Sequence, residues 1–217
     1  MGLHLTKVYN KIICMIIKTF VEPPIENNNY LIIDEKSGEA ALIDCSAEDE
    51  NVLLELKRNN ATLKYILLTH GHFDHIAGLN SYSNNVEVLM HSADMDWVKN
   101  VNTYLPMVGM PMMNIPKIDK FIEDNDIIKL GDMEIRVIHT PGHTQGGVCF
   151  YVENSLFSGD TIFRESVGRC DLDGGNFNQL VNSIEEKLFK LPPETLVYPG
   201  HGRNTSIGWE IKHNSYL

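Results

Sequence analysis

Residues Thr69-His70-Gly71-His72-Phe73-Asp74-His75 set three imidazoles and a carboxylate within six positions, directly behind the apolar run Leu63-Lys64-Tyr65-Ile66-Leu67-Leu68. Such a run suits a strand covered on both faces, so His70 lies where a buried strand gives way to a loop. Four polar side chains at that position cannot all pack into a core, because each brings atoms that need partners. Imidazole nitrogen and carboxylate oxygen are the donors that zinc and similar divalent ions take, and one ion does not easily accept all four. A solvated histidine-rich loop is the plain alternative that the segment alone leaves open.

Three later positions narrow that alternative. His143 follows a strand pattern in Thr140-Pro141-Gly142-His143-Thr144. Asp160 follows Leu156-Phe157 in Ser158-Gly159-Asp160-Thr161. His201 follows Leu196-Val197 in Tyr198-Pro199-Gly200-His201-Gly202. Each comes where a strand should end, beside a glycine that permits close backbone approach. With His70, His72, Asp74 and His75 they make seven candidate ligands of suitable type, enough for two ions. His91 and His139 abut strand ends without such a context and read as structural, whereas His4 and His213 read as solvated terminal residues.

The rest of the chain supplies a scaffold of alternating strands and helices. Strands are expected over Asn29–Asp34, Ala40–Asp44, Leu63–Leu68, Val86–Met90 and Thr195–Tyr198. Two longer strand regions, Ile127–Ile138 and Gly147–Phe157, carry turn candidates at Gly131-Asp132 and Glu153-Asn154. Apolar residues at Val52, Leu53 and Leu56 give helical spacing within Glu48–Asn59. Ser92 is a candidate cap for a short helix through Trp97, and Phe177–Phe189 reads as an amphipathic helix. Without a low-complexity linker, the pattern implies one α/β domain over 1–217, with sheets packed face to face and helices outside. Residues 101–120 hold Pro106, Pro111 and Pro116 among four methionines, which excludes a regular helix. The segment is either a lid over a substrate or a loop covering core edges. Strand patterning begins at Ile16, so residues 1–14 are expected to be an extension, or Met15 the natural start.

The formal charge of −11 opposes a phosphate backbone and argues against nucleic acid as a partner. Four scattered cysteines form no C-x-x-C pair, which suits a reducing, cytoplasmic setting. No apolar run reaches the length of a membrane span.

Taken together, H-x-H-x-D-H, P-G-H-T, G-D-T and P-G-H-G, in that order, resemble the metallo-β-lactamase superfamily, and most of all its small single-domain type II glyoxalases. The likeness extends from about Ile16 to Leu217 and includes Glu26-Asn27, Gly168-Arg169-Cys170-Asp171 and Thr205-Ser206-Ile207-Gly208. It implies a four-layer αββα sandwich with the site at one edge of the sheets. It also implies two divalent metals, zinc first, with iron or manganese suitable too. His70, His72 and His143 would hold one ion, Asp74, His75 and His201 the other, and Asp160 would bridge them.

The implied reaction is attack of a metal-bridging hydroxide on a small-molecule thioester such as S-lactoylglutathione, with Asp74 orienting the nucleophile or accepting its proton. Cys170 stands where the family often has Thr, and Arg169 with Asp171 is expected to form an ion pair behind the site. Arg164, Arg203 and Lys212 are candidates for substrate carboxylates, since the larger glyoxalases' basic C-terminal region has no counterpart here. The main competing reading is a persulfide dioxygenase with a single iron. In those enzymes the last motif reads His-Asp-Tyr, against His201-Gly202-Arg203 here. A lactonase is a further alternative. A β-lactamase is disfavoured by the bridging Asp160, a nuclease by the acidic charge, and a non-catalytic metal module by the presence of all seven candidate ligands.

Overall fold

The computed structural model describes residues 15–23, 25–82 and 86–217. The proposed extension, residues 1–14, lies outside the described residues. Two six-stranded sheets carry the fold. The first runs in sequence order: β1 (Met15–Glu22), β2 (Asn27–Asp34), β3 (Glu39–Ile43), β4 (Thr62–Leu67), β5 (Glu87–Met90) and β6 (Lys120–Phe121). The second begins with β7 (Ile127–Leu130), β8 (Met133–His139), β9 (Val148–Val152) and β10 (Ser155–Gly159). After the small hairpin β11 (Ile162–Phe163) and β12 (Ser166–Val167), it is completed by β13 (Leu196–Pro199) beside β10 and by β14 (Thr205–Ser206) at the edge. The β3–β4, β4–β5, β5–β6 and β10–β13 pairs are parallel.

Alternation along single strands builds the layers. In β2, Tyr30 and Ile32 face the second sheet, where they join Val137, Phe150 and Phe157 in one core. Leu31 and Ile33 face the other way and pack with Val52 and Leu56 of helix α1 (Glu50–Arg58). In the second sheet Cys149, Leu156 and Val197 turn outward and meet Leu180 and Ile184 of a helix over Phe177–Lys187, together with Ile207. Each sheet is therefore buried on both faces, and the arrangement is the αββα sandwich that the sequence implies.

Both hairpin expectations hold. Glu153 and Asn154 have φ of 44° and 62°, the left-handed pair that a two-residue hairpin turn requires, and Gly131 takes φ 57° in the turn between β7 and β8. Ser92 is not the cap. His91 Nδ1 instead accepts from Ala93 N–H at 3.2 Å, a short 3-10 turn follows, and helix occupies Met95–Lys99. Before β6, residues 101–119 form a helical turn at Val101–Tyr104 and a 3-10 turn at Leu105–Val108, after which Gly109 with φ 76° reverses the chain. No helix among the described residues is long and apolar enough to cross a membrane.

Candidate metal centre

The seven candidate ligands come from strand ends at one edge of the sandwich. His70 follows β4, His143 follows β8, Asp160 follows β10 and His201 follows β13, while Asp74 and His75 lie in the helical turn α2 (Phe73–Ile76). Backbone bonds tie these ends together: Val148 N–H donates to Thr69 O at 2.8 Å, Asn28 N–H to Gly200 O at 2.7 Å, and Gly200 N–H to Gly159 O at 2.8 Å.

The structure gathers all seven into three overlapping groups: His70, His72 and His143; His70, His75 and Asp160; and Asp74, His75 and His201. In the first, His143 Nε2 lies 3.2 Å from His70 Nε2 and 2.9 Å from His72 Nδ1, and His70 Nε2 lies 3.0 Å from His72 Nδ1. The outer ring nitrogens decide where the protons are. His143 Nδ1 donates to Arg169 O at 2.7 Å. Thr69 Oγ1 gives its one proton to the Asp44 carboxylate at 2.9 Å, so it accepts from His70 Nδ1 at 3.1 Å. Both Nε2 atoms at the centre therefore carry bare lone pairs that face each other, an arrangement that a cation between them would relieve. His72 Nε2 is buried without a partner. Burial and the neighbouring His143 hold the pKa of His72 down to about 3, and burial with His75, His72 and His143 holds His70 well below its usual value.

The second group is charged differently. Burial opposes charge on His75, yet Asp44, Asp74 and Asp160 push its pKa up to about 10. This corner calls for one positive charge, carried as a proton or a metal ion. Asp74 Oδ2 lies 3.3 Å from His201 Nε2 and 3.8 Å from His75 Nε2. Burial would raise the Asp74 pKa, but His75 and His201 draw it below the ordinary carboxylate range. Asp160 reaches both groups: Oδ1 is 3.5 Å from His75 Nε2, and Oδ2 is 3.6 Å from both His143 Nε2 and His201 Nε2. Its Oδ1 is buried without a hydrogen-bond partner. Converging imidazole lone pairs and an orphaned carboxylate oxygen are the donor chemistry of a divalent cation site, so the residues fit such ions. One contact would have to move: Asn27 Nδ2 lies 2.8 Å from His75 Nε2.

Supporting residues not singled out in the sequence hold these side chains in place. Asp44, with φ 59°, accepts from Thr69 N–H at 2.8 Å and from His75 Nδ1 at 2.8 Å. Asp94, fully buried, accepts from Gly71 N–H, Thr144 Oγ1 and Gly146 N–H at 3.0, 2.7 and 2.6 Å, bracing the loops that carry His70, His72 and His143. A carboxylate closing the apolar run Ala40–Ile43 was a visible signal for Asp44. Nothing local marks Asp94, whose donors lie 23 to 52 positions away.

Other expectations sort out plainly. Arg169 and Asp171 do pair, through Nε and Nη2 at 2.7 and 2.8 Å, but on the exposed rim of the cavity before the ligands rather than behind them. Cys170 is half-buried against the apolar cluster under the Phe177–Lys187 helix and does not line the cavity. His91 and His139 stack with centroids 4.2 Å apart, outside the ligand groups. Of Arg164, Arg203 and Lys212, none lines the cavity; Arg164 lies over Trp209, its Cζ 4.5 Å from the ring centroid. Segment 101–120 contributes Tyr104, Met107 and Val108 to the cavity wall, and Met110 and Met113 pack against the core, so it covers a core edge as expected and also borders the cavity.

Residues 23–201 match the family model described as the metallo-beta-lactamase superfamily. The hydroxyacylglutathione hydrolase GloC of Haemophilus influenzae is 30% identical over 204 residues, covering 88% of this chain and 93% of that one. Among solved structures, the BLEG-1 B3 metallo-beta-lactamase is 35% identical with a TM-score of 0.85, covering 93% of this chain and 99% of its own. TTHA1623 in a di-iron-bound form is 33% identical with a TM-score of 0.82, covering 92% and 100%. ETHE1 from Myxococcus xanthus is 28% identical with a TM-score of 0.75, covering 92% and 83%.

Proposed function

Because the chain belongs to the metallo-β-lactamase superfamily, we propose that it is a dinuclear metal-dependent hydrolase that cleaves small-molecule thioesters. S-lactoylglutathione is the first compound to test. One observation carries the reading: two complete ligand groups face each other across Asp160, whose two oxygens are turned to different histidines. His70, His72 and His143 would hold one ion, Asp74, His75 and His201 the other, and Asp160 would join both. Zinc is the expected metal, with iron a close second given the di-iron relative. A pair of such ions supplies hydroxide at neutral pH and polarises a carbonyl.

The chain's own part is to orient and protect. Asp74, ionised and lining the cavity, would orient the attacking water and receive its proton. The water oxygen would bond to the carbonyl carbon, the carbon–sulfur bond would break with its electron pair on sulfur, sulfur would take the proton held by Asp74, and the second water proton would leave to solvent, giving a carboxylate and a thiol. Among the described residues no cysteine or lysine lines the cavity, so water rather than a thiol or amine is the nucleophile of this reading. His143 is held by Arg169 O, and His75 by Asp44, so that Nδ1 of each carries the proton and Nε2 faces the centre.

Two other readings have an observation behind them. The H-x-H-x-D-H and Gly168-Arg169-Cys170-Asp171 motifs also suit a single-iron persulfide dioxygenase, and the BLEG-1 likeness favours lactam hydrolysis. The complete second group and His201-Gly202-Arg203 support the hydrolase over the oxygenase, and the bridging position of Asp160 supports a thioester over a lactam. Elemental analysis of protein purified without added metal, followed by thioester, persulfide and lactam assays, separates them. The thioester reading expects about two metal ions per chain and thiol release. A single iron with oxygen uptake on a persulfide would overturn it.

A further inference from the structure

The cavity before the ligands, about 610 Å³, has a polar floor and apolar walls. Trp97, Tyr104, Met107 and Val108 line it from one stretch of chain, and Ile25 and Leu172 from two others. Trp97 stands edge-on to His72 with centroids 4.4 Å apart, so the apolar wall begins at the ligands themselves. It continues to the surface: Met107 is 77% exposed, Val108 48%, Ile25 40% and Leu172 37%. Large apolar side chains gathered round one opening mark a binding surface, and a cavity of this volume suits a small organic ligand.

The charge of the walls points the same way. Among the described residues Arg169 is the only lysine or arginine lining the cavity, and its charge is already paired with Asp171, which accepts from Nε and Nη2. A substrate carboxylate would share Arg169 with Asp171 and would find no second cation among the described lining residues. Taking the thioester reading above as its premise, we propose that the substrate is a thioester of an apolar acyl chain or ring on a thiol without carboxylates. The acyl group would be seated against Trp97, Met107 and Val108.

The test is a series of N-acetylcysteamine thioesters (acetyl, butyryl, hexanoyl and octanoyl) assayed with the metal-replete protein beside S-lactoylglutathione. Burying each methylene should raise kcat/KM by roughly threefold to fourfold, which over the four methylenes from acetyl to hexanoyl compounds to about 80-fold to 250-fold. S-lactoylglutathione should fall below hexanoyl. The Met107→Ser/Val108→Ser double variant should flatten the series, cutting the hexanoyl-to-acetyl ratio of kcat/KM by roughly tenfold or more. Independently of turnover, hexanamide should quench Trp97 emission saturably in a Trp209→Phe background, and acetamide should not. A flat series, or S-lactoylglutathione above hexanoyl, overturns this proposal alone. Failure to cleave any thioester overturns it together with the reading on which it rests.

Discussion

At the scale of single residues, the account turns on carboxylates that are buried for a reason. Asp160→Asn keeps the shape but halves the charge-bearing oxygens between the two groups. It is expected to lower metal content and reduce turnover by orders of magnitude, measured by elemental analysis and thiol release. Asp44→Asn puts an amide where Thr69 N–H and His75 Nδ1 both donate, and leaving one buried donor unpaired costs about 1–3 kcal/mol. Urea denaturation should show that loss, and the variant should release metal faster. The histidines give a pH signature to protein stripped of metal by chelation. His72 has a folded pKa of about 3, below its unfolded value, so the unfolded chain binds more protons and stability falls as pH drops from about 6.5 towards 3. His75, at about 10, is the opposite case: its contribution is complete below about 6.5 and is lost as pH rises through 10. The denaturation midpoint should therefore peak near neutrality, and a midpoint still rising from pH 7 to pH 9 would contradict the assignment.

At the scale of elements, strand ends and helices have separable duties. Gly200 follows β13, and a Cβ there would collide with Asp160 Oδ1 and the His75 ring. Gly200→Ala should cut metal content while circular dichroism stays that of the parent. Ile184, fully buried behind the second sheet, touches the core and no ligand. Ile184→Ala should cost about 2–5 kcal/mol of stability with metal content unchanged. Strands, hairpins and outer helices were legible because burial on one or two faces writes a period of two or a continuous apolar run, and because Glu153-Asn154 and Gly131-Asp132 have turn chemistry. The β11–β12 hairpin was not, since Ile162-Phe163 and Ser166-Val167 are too short to show alternation. The cap at His91 was missed because Ser92 offered the more usual side chain.

At the scale of the whole molecule, both sheets contribute to one inter-sheet core, and the ligands come from both. We therefore propose that the chain unfolds as one unit. Fluorescence and circular dichroism should give coincident urea transitions, and two separated transitions would argue for independent halves. The candidate ligands were legible at this scale because four share the run after β4 and the other three each lie in a short motif at a strand end. Asp94 was not, because its three donors converge only after the chain has folded. The central claim, two cations held by seven side chains, is tested most directly by anomalous diffraction at the metal edge from crystals of the protein as purified. Two peaks are expected about 3.5–4 Å apart, one among His70, His72 and His143, the other among Asp74, His75 and His201, with Asp160 touching both. A single peak, or peaks away from these residues, would contradict it.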